Sequence, residues 1–322
     1  MDGRVQLLNE PGELGKIGQV WFVESLADDD PTHTARRLRE DLQDVLYARA
    51  RKLRVELRSV TNRVDFFAAL DDLCTSVSAT RLNPILDIEC HGDAEEGIQL
   101  ADGTLVPWDI LKSKLEAINL ASRCNVILVL GCCYGAYFGK EARLHERAAF
   151  CAYIAPTGSI NVRVLASGLR AFYAELFTSL DITNALDAMR AAAPEFGYVF
   201  YTAYGLFCTI FAEMIADNGM GDGLRQRAVA MAERLRVERG CTFSVDDVAQ
   251  RIKAGEPEAF AQFRRTYFLI DQCPENDARF PLTHAKVEAD ARKLADYLIP
   301  LSHKTSFAQS LLRPLILPVR PP

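Results

Sequence analysis

Several things are missing from this 322-residue chain, and each absence removes a class of function. There is no CxxC pair and no cysteine–histidine ladder with zinc spacing, so the common structural zinc modules are excluded. Positive charge is not in excess: 37 Lys and Arg stand against 43 Asp and Glu, for a net charge of −6. A nucleic-acid surface, which needs a basic face, is therefore not expected. The longest apolar stretch, YVFYTAYGLFCTIFAEMI around 198–215, is broken by Glu213, threonines and a glycine, and it reads as a buried segment more than as a membrane span. The opening residues, MDGRVQLLNEPGELGK, lack an apolar signal core. With an odd number of cysteines, nine, this gives the expectation of a reducing, cytoplasmic setting. GELGKIG precedes a strand where a dinucleotide fingerprint follows one, and GCCYGAYFGKE lacks both the spacing and the Ser/Thr of a phosphate loop. A phosphatase-type loop needs an arginine where Gly139 stands.

What remains is ordinary for a globular enzyme: 49% hydrophobic and 25% charged residues. Hydrophobic periodicity gives an alternating order of elements. Strands are predicted at 20–26, 53–60, 84–92, 126–133, 150–156 and 197–205. Helices are predicted at 35–52 (Thr32 or Thr34 as cap), 63–79, 109–122, 161–180 and 183–193. Asp102-Gly103 marks a hairpin over 96–108. This order means an α/β fold, with a mainly parallel sheet flanked by helices in three layers. After about 206 the pattern turns helical, at 223–239, 245–254, 256–270 and 284–298, before a Pro-rich tail. Two regions follow: 1–205 around the sheet, and a helical C-terminal extension, 206–322. The Arg-rich piece RARKLRVELR (49–58) reads as a solvated helix end.

In such a sheet, reactive groups gather at the carboxyl ends of the strands. Two strands end in chemistry on the same rim: one in Cys90-His91-Gly92, the other in Cys132-Cys133. A thiol entering a helix there gains from the helix N-terminus, and a glycine after the histidine allows a backbone N–H to approach a substrate carbonyl. A Cys/His nucleophile fits these pieces. So does inert packing, since cysteine inside apolar runs behaves as a small hydrophobe.

The stretch ILDIECHGDAEEGIQLADGTLVPWDIL, followed by NVILVLGCCYGAY, resembles the caspase-like cysteine peptidases of clan CD, and most of all their CHAT branch. The matching pieces are His91-Gly92, Gly97, the turn Leu100-Ala101-Asp102-Gly103-Thr104-Leu105, and Leu130-Gly131-Cys132-Cys133. Weaker similarity runs through FCAYIAPTG, VLASGLRAFYAELF and ITNALDAMRAAA, covering roughly 18–205. The resemblance implies a three-layer caspase-like fold. It makes Cys133 the nucleophile and His91 its base, and takes the backbone N–H groups of Gly92 and Cys133 as oxyanion donors. Cys132 then sits at a variable position. Gly135 matches the family's glycine after the cysteine, while Tyr134 and Tyr137 are bulkier than usual.

The resemblance further implies an endopeptidase acting on a protein partner, with neither cofactor nor metal and with room for a regulatory protein partner. Bacterial stress or antiviral defence, through a pore-forming gasdermin-like substrate, is the setting suggested by analogy; a catalytically inactive scaffold is the alternative. For specificity, Glu24, Asp28, Asp29 and Asp30 follow the first strand on the same rim and could take a basic side chain before the scissile bond. Arg163, beyond the fifth strand, could instead take an acidic one. The acidic group is the favoured selector.

Overall fold

The first strand, β1 (Ile17–Ser25), is buried at every residue from Gln19 to Ser25. A strand shows that pattern only when both faces of its sheet are covered. The computed structural model describes residues 17–28, 30, 33–194, 197–218 and 221–289. After β1 come α1 (Thr34–Ala48), β2 (Arg54–Ser59), α2 (Arg63–Thr80) and β3 (Asn83–Asp93). A small hairpin, β4 (Gly97–Gln99) and β5 (Leu105–Val106), leads to α3 (Trp108–Ala121) and β6 (Ile127–Gly131). Next are a 3₁₀ turn over Gly135–Glu141, then β7 (Ala152–Pro156), α4 (Val162–Ser179), α5 (Ile182–Ala192) and β8 (Tyr198–Thr202).

The strands lie in the order β2-β1-β3-β6-β7-β8. All adjacent pairs are parallel except β7 with β8. The chain steps outward from β1 to β2 and then returns across β1 to β3, so the winding reverses beside β1 and β3. The crevice at such a reversal, outside the carboxyl ends of the strands, is where open α/β sheets place their sites.

Alternation sorts the two faces. Val20, Phe22, Ile85, Ile127, Val129 and Ile154 form one core with Leu38 and Leu42 of α1, Leu169, Phe172 and Tyr173 of α4, and Ile182 and Met189 of α5. Gln19 and Trp21 point the other way: Trp21 Nε1 donates to Gln19 Oε1 at 2.9 Å, and Ser76 of α2 donates to the same oxygen at 3.1 Å.

Local chemistry moves several boundaries. Helix α1 has His33 at its N-cap with no side-chain cap, while Thr34 is buried inside the helix and Thr32 lies outside the described residues. The Arg-rich segment is not a helix end throughout, because its second half is the edge strand β2. Arg54 and Arg58 lie over the Trp21 ring, at 5.5 and 5.1 Å from its centre. Strand β6 stops at Gly131, short of the two cysteines.

The chain falls into two compact units. One holds the described residues up to Ala142 together with Ala148–Thr202; the other holds Arg143–Arg147 and the chain from Ala203. In the second, α6 (Ala203–Asn218), α7 (Gly221–Arg239), α8 (Val245–Tyr267) and the short α9 (Asn276–Arg279) gather around Phe207, Phe211, Phe260 and Phe268. Helix α8 runs unbroken for 23 residues with Pro257 inside it, where the sequence suggested two helices divided near Gly255. The helix predicted over 284–298 is described only as far as 289.

Helix α2 has the best-defined start. The Asn62 side chain accepts from Val64 N and Asp65 N, both at 3.0 Å. Asn62→Ala should lower stability by about 1 kcal/mol, read as a shift in the urea midpoint at unchanged slope.

Candidate active site

The pairing of β3 with β6 sets the geometry. Ile85 pairs with Ile127, Asp87 with Val129 and Glu89 with Gly131. His91 and Cys133 are separated by the same number of residues as each of these pairs, but the paired register itself ends at Glu89 and Gly131. Beyond Glu89 the end of β3 turns to pair with β4, His91 opposite Gln99 and Gly92 opposite Ile98. The hairpin thus fixes the backbone that carries the histidine. A Cβ on Gly92 would collide with the Cys133 carbonyl oxygen and would lie 3.1 Å from Cys132 Cβ. Only glycine allows the two strand ends to come this close.

Cys133 is half-buried and Cys132 fully buried. The Cys133 sulfur accepts from Ile160 N at 3.4 Å and lies 3.8 Å from Ser159 Oγ. The loop after β7 therefore walls the sulfur, and Tyr134 N donates to Gly158 O at 3.0 Å, tying the two loops together. Cys132 turns inward to Cys90. Their mutual hydrogen bond, then burial, pushes the Cys90 thiol well up. This distinguishes the adjacent cysteines: one sulfur is reachable and the other is part of a buried thiol pair.

No α-helix begins at Cys133. Tyr134 takes a left-handed conformation with φ of 57°. The chain then closes i to i+3 bonds, Tyr137 N to Tyr134 O at 2.9 Å among them, and the buried Tyr153 hydroxyl takes the Ala136 carbonyl at 2.9 Å. The helix-terminus contribution expected from the sequence is replaced by this 3₁₀ turn. Among the described residues the Cys133 N–H meets no acceptor, so it remains available to an oxyanion.

His91 is exposed, and its Nε2 lies 3.2 and 3.3 Å from the two carboxylate oxygens of Asp30. Asp30 is itself fixed, accepting from Ala27 N at 2.8 Å. A carboxylate on Nε2 holds the proton there and leaves Nδ1 as the basic nitrogen. Asp30 thus meets the histidine. Asp28 is an exposed turn residue, and Asp29 lies outside the described residues. Glu24 is buried, its Oε2 3.0 Å from His33 Nδ1 and 3.5 Å from Arg36 Nε. Arg163 is exposed in the first turn of α4.

Beneath the rim, the strand face that carries His91 also carries Asp87 and Glu89, both fully buried. Asp87 accepts from the Tyr173 hydroxyl at 2.6 Å. Burial pushes its carboxyl up to about 7 despite that bond. Glu89 is pushed well up by burial first, then by Asp87 and Glu24. These two acids went unremarked in the sequence. Their signal was there: acidic residues two and four positions before His91, in a strand otherwise apolar.

No protein-family model and no curated protein matches this chain. Among solved structures it is similar to the Drosophila initiator caspase Dronc, with 12% identity and a TM-score of 0.43, over 62% of this chain and 88% of that one. A likeness that slight decides neither activity nor residue roles.

A carboxyl raised in the folded state keeps its proton after the unfolded chain has lost it. Its stabilising contribution is complete below about pH 4 and declines as pH rises towards 7 for Asp87. Asp87→Asn keeps an acceptor for Tyr173 and removes that titration. Urea unfolding between pH 4.5 and 8 should show the wild type losing stability relative to the variant, by a few kcal/mol at most.

Proposed function

We propose that this protein is a cysteine endopeptidase, a caspase-like enzyme of the CHAT type, with its catalytic module in the sheet-bearing unit. The supporting observation is the close approach of the two chain ends: Gly92, next to His91, packs on the Cys133 backbone, where a Cβ would meet the Cys133 carbonyl oxygen. His91 Nδ1 takes the proton from the Cys133 thiol, and the sulfur attacks the scissile carbonyl. The oxyanion lies against the N–H groups of Cys133 and Gly92. His91 returns the proton to the leaving amine, which departs and leaves a thioester on Cys133. A water then gives its proton to His91 and attacks that thioester, releasing the acid and restoring the thiol. Asp30 keeps the imidazole in the required tautomer throughout.

The substrate in this reading is a protein partner, and the setting is bacterial stress or antiviral defence, with a pore-forming gasdermin-like protein as the example. What supports the setting is the CHAT resemblance alone. None of the steps needs a metal or cofactor. No described helix is long and apolar enough to cross a membrane.

Cys133→Ala should abolish cleavage with the fold intact, and Cys132→Ala should leave the chemistry nearly unchanged. A peptide electrophile followed by mass spectrometry should mark Cys133. An inactive Cys132 variant beside an active Cys133 variant would reverse the assignment. His91→Ala should lower turnover by at least about 100-fold without changing the melting temperature. A folded His91 variant with full activity, or an unlabelled Cys133, would leave an inactive scaffold as the reading.

A further inference from the structure

Three carboxyls line the face beneath the rim, and two already have donors: Glu24 has His33 and Arg36, and Asp87 has Tyr173. Glu89 is different. It is 1% exposed, and neither of its carboxyl oxygens has a hydrogen-bond partner. Buried polar groups are nearly always paired, and an exception calls for a reason. Among the described residues no cluster of His, Cys, Asp and Glu is arranged to hold a metal ion.

The orientation of Glu89 supplies the reason. It pairs with Gly131, and a Cβ there would stand 3.0 Å from Glu89 Cγ and 3.2 Å from Cδ. The carboxyl end therefore leans across Gly131 towards β6. Cys133 lies two residues further along that chain, within about 7 Å of Gly131 even for a fully extended chain. A lysine or arginine whose carbonyl rests at Cys133 has a stem of this length. Short side chains fall short of it. An acidic one would meet Glu24, Asp87 and Glu89 together.

We propose that Glu89 selects a cationic side chain, arginine before lysine, immediately ahead of the scissile bond. The proposal rests on Cys133 being the nucleophile. Two free carboxylate oxygens match the guanidinium fork, which a single ammonium cannot. On binding, the proton held on the buried carboxyl passes to solvent and the guanidinium takes its place. Glu24, opposite Glu89 in the register, has a second unpartnered oxygen beside it. The acidic loop after β1 has a different task, since Asp30 is held on His91.

The test uses the full-length protein and peptides differing only in the residue before the scissile bond: Arg, Lys, Leu and Asp. The wild type should cut Arg best and Asp least. Glu89→Gln should lower kcat/KM for the Arg peptide by about 100-fold relative to its effect on the Leu peptide. Iodoacetamide labelling of Cys133 should proceed at the wild-type rate in that variant. Glu89→Asp, which keeps the charge but withdraws it by one methylene, should lose Arg cleavage in part and serves if the Gln variant does not fold. Cleavage with a preference for Leu or Asp in the wild type, or Arg cleavage unaffected in both variants, overturns the selector while leaving the peptidase standing; an Asp preference would assign selection to Arg163. Absence of any cleavage together with an unlabelled Cys133 overturns the peptidase and the selector with it.

Discussion

The parallel pairing of β3 with β6 is the constraint on which the rest depends. A strand has a side-chain period of two, so a slip of one residue would send every side chain to the opposite face. The observed register holds Ile85 and Ile127 in the core shared with α1, α4 and α5, and it ends at Glu89 and Gly131, just before the stretches that carry His91 and Cys133. A slip in this pairing would turn Ile85 and Val129 out of that core.

The acids of β3 pull against this packing. Asp87 and Glu89 occupy positions that in most parallel sheets are aliphatic, and their burial pushes both carboxyls up from the ordinary carboxylate range. Tyr173 relieves Asp87 through a donor anchored in α4, in a core where its ring also meets Phe22 and Phe172 edge-on. Glu89 has no such relief. Sites that depart from local rules while the surrounding packing keeps them are where function usually resides.

Much of the fold was legible in the sequence because the strands are short apolar runs between amphipathic helices with clear punctuation. The helices expected over 63–79 and 183–193, for example, are found at Arg63–Thr80 and Ile182–Ala192. The place of His91 near the end of β3 was legible for the same reason, while the strand expected to run through Cys133 stops at Gly131. The 3₁₀ turn was not, because it is held by a hydroxyl from Tyr153, 17 residues downstream of the Ala136 carbonyl it bonds. Nor could periodicity keep α8 whole across Gly255 and Pro257, since helix-breaking propensity is a local signal and the packing of Phe260 is not. The partner of Asp30 was hidden too: a loop carboxylate beside a strand-end histidine is a matter of three-dimensional proximity, and a run of aspartates suggests a solvated turn or a pocket equally well.

Strand β2 shows how the sheet limits its own width. One face of this edge strand carries Arg54, Glu56 and Arg58, joined by Nε–Oε1 and Nη1–Oε2 contacts of 3.0 and 3.5 Å. Both guanidinium groups also lie over the Trp21 ring of β1. A foreign strand docking along this edge would have to set its own side chains beside that charged row. The edge therefore repels the unplanned pairing that an open sheet otherwise invites, and it does so with side chains already engaged in holding β1.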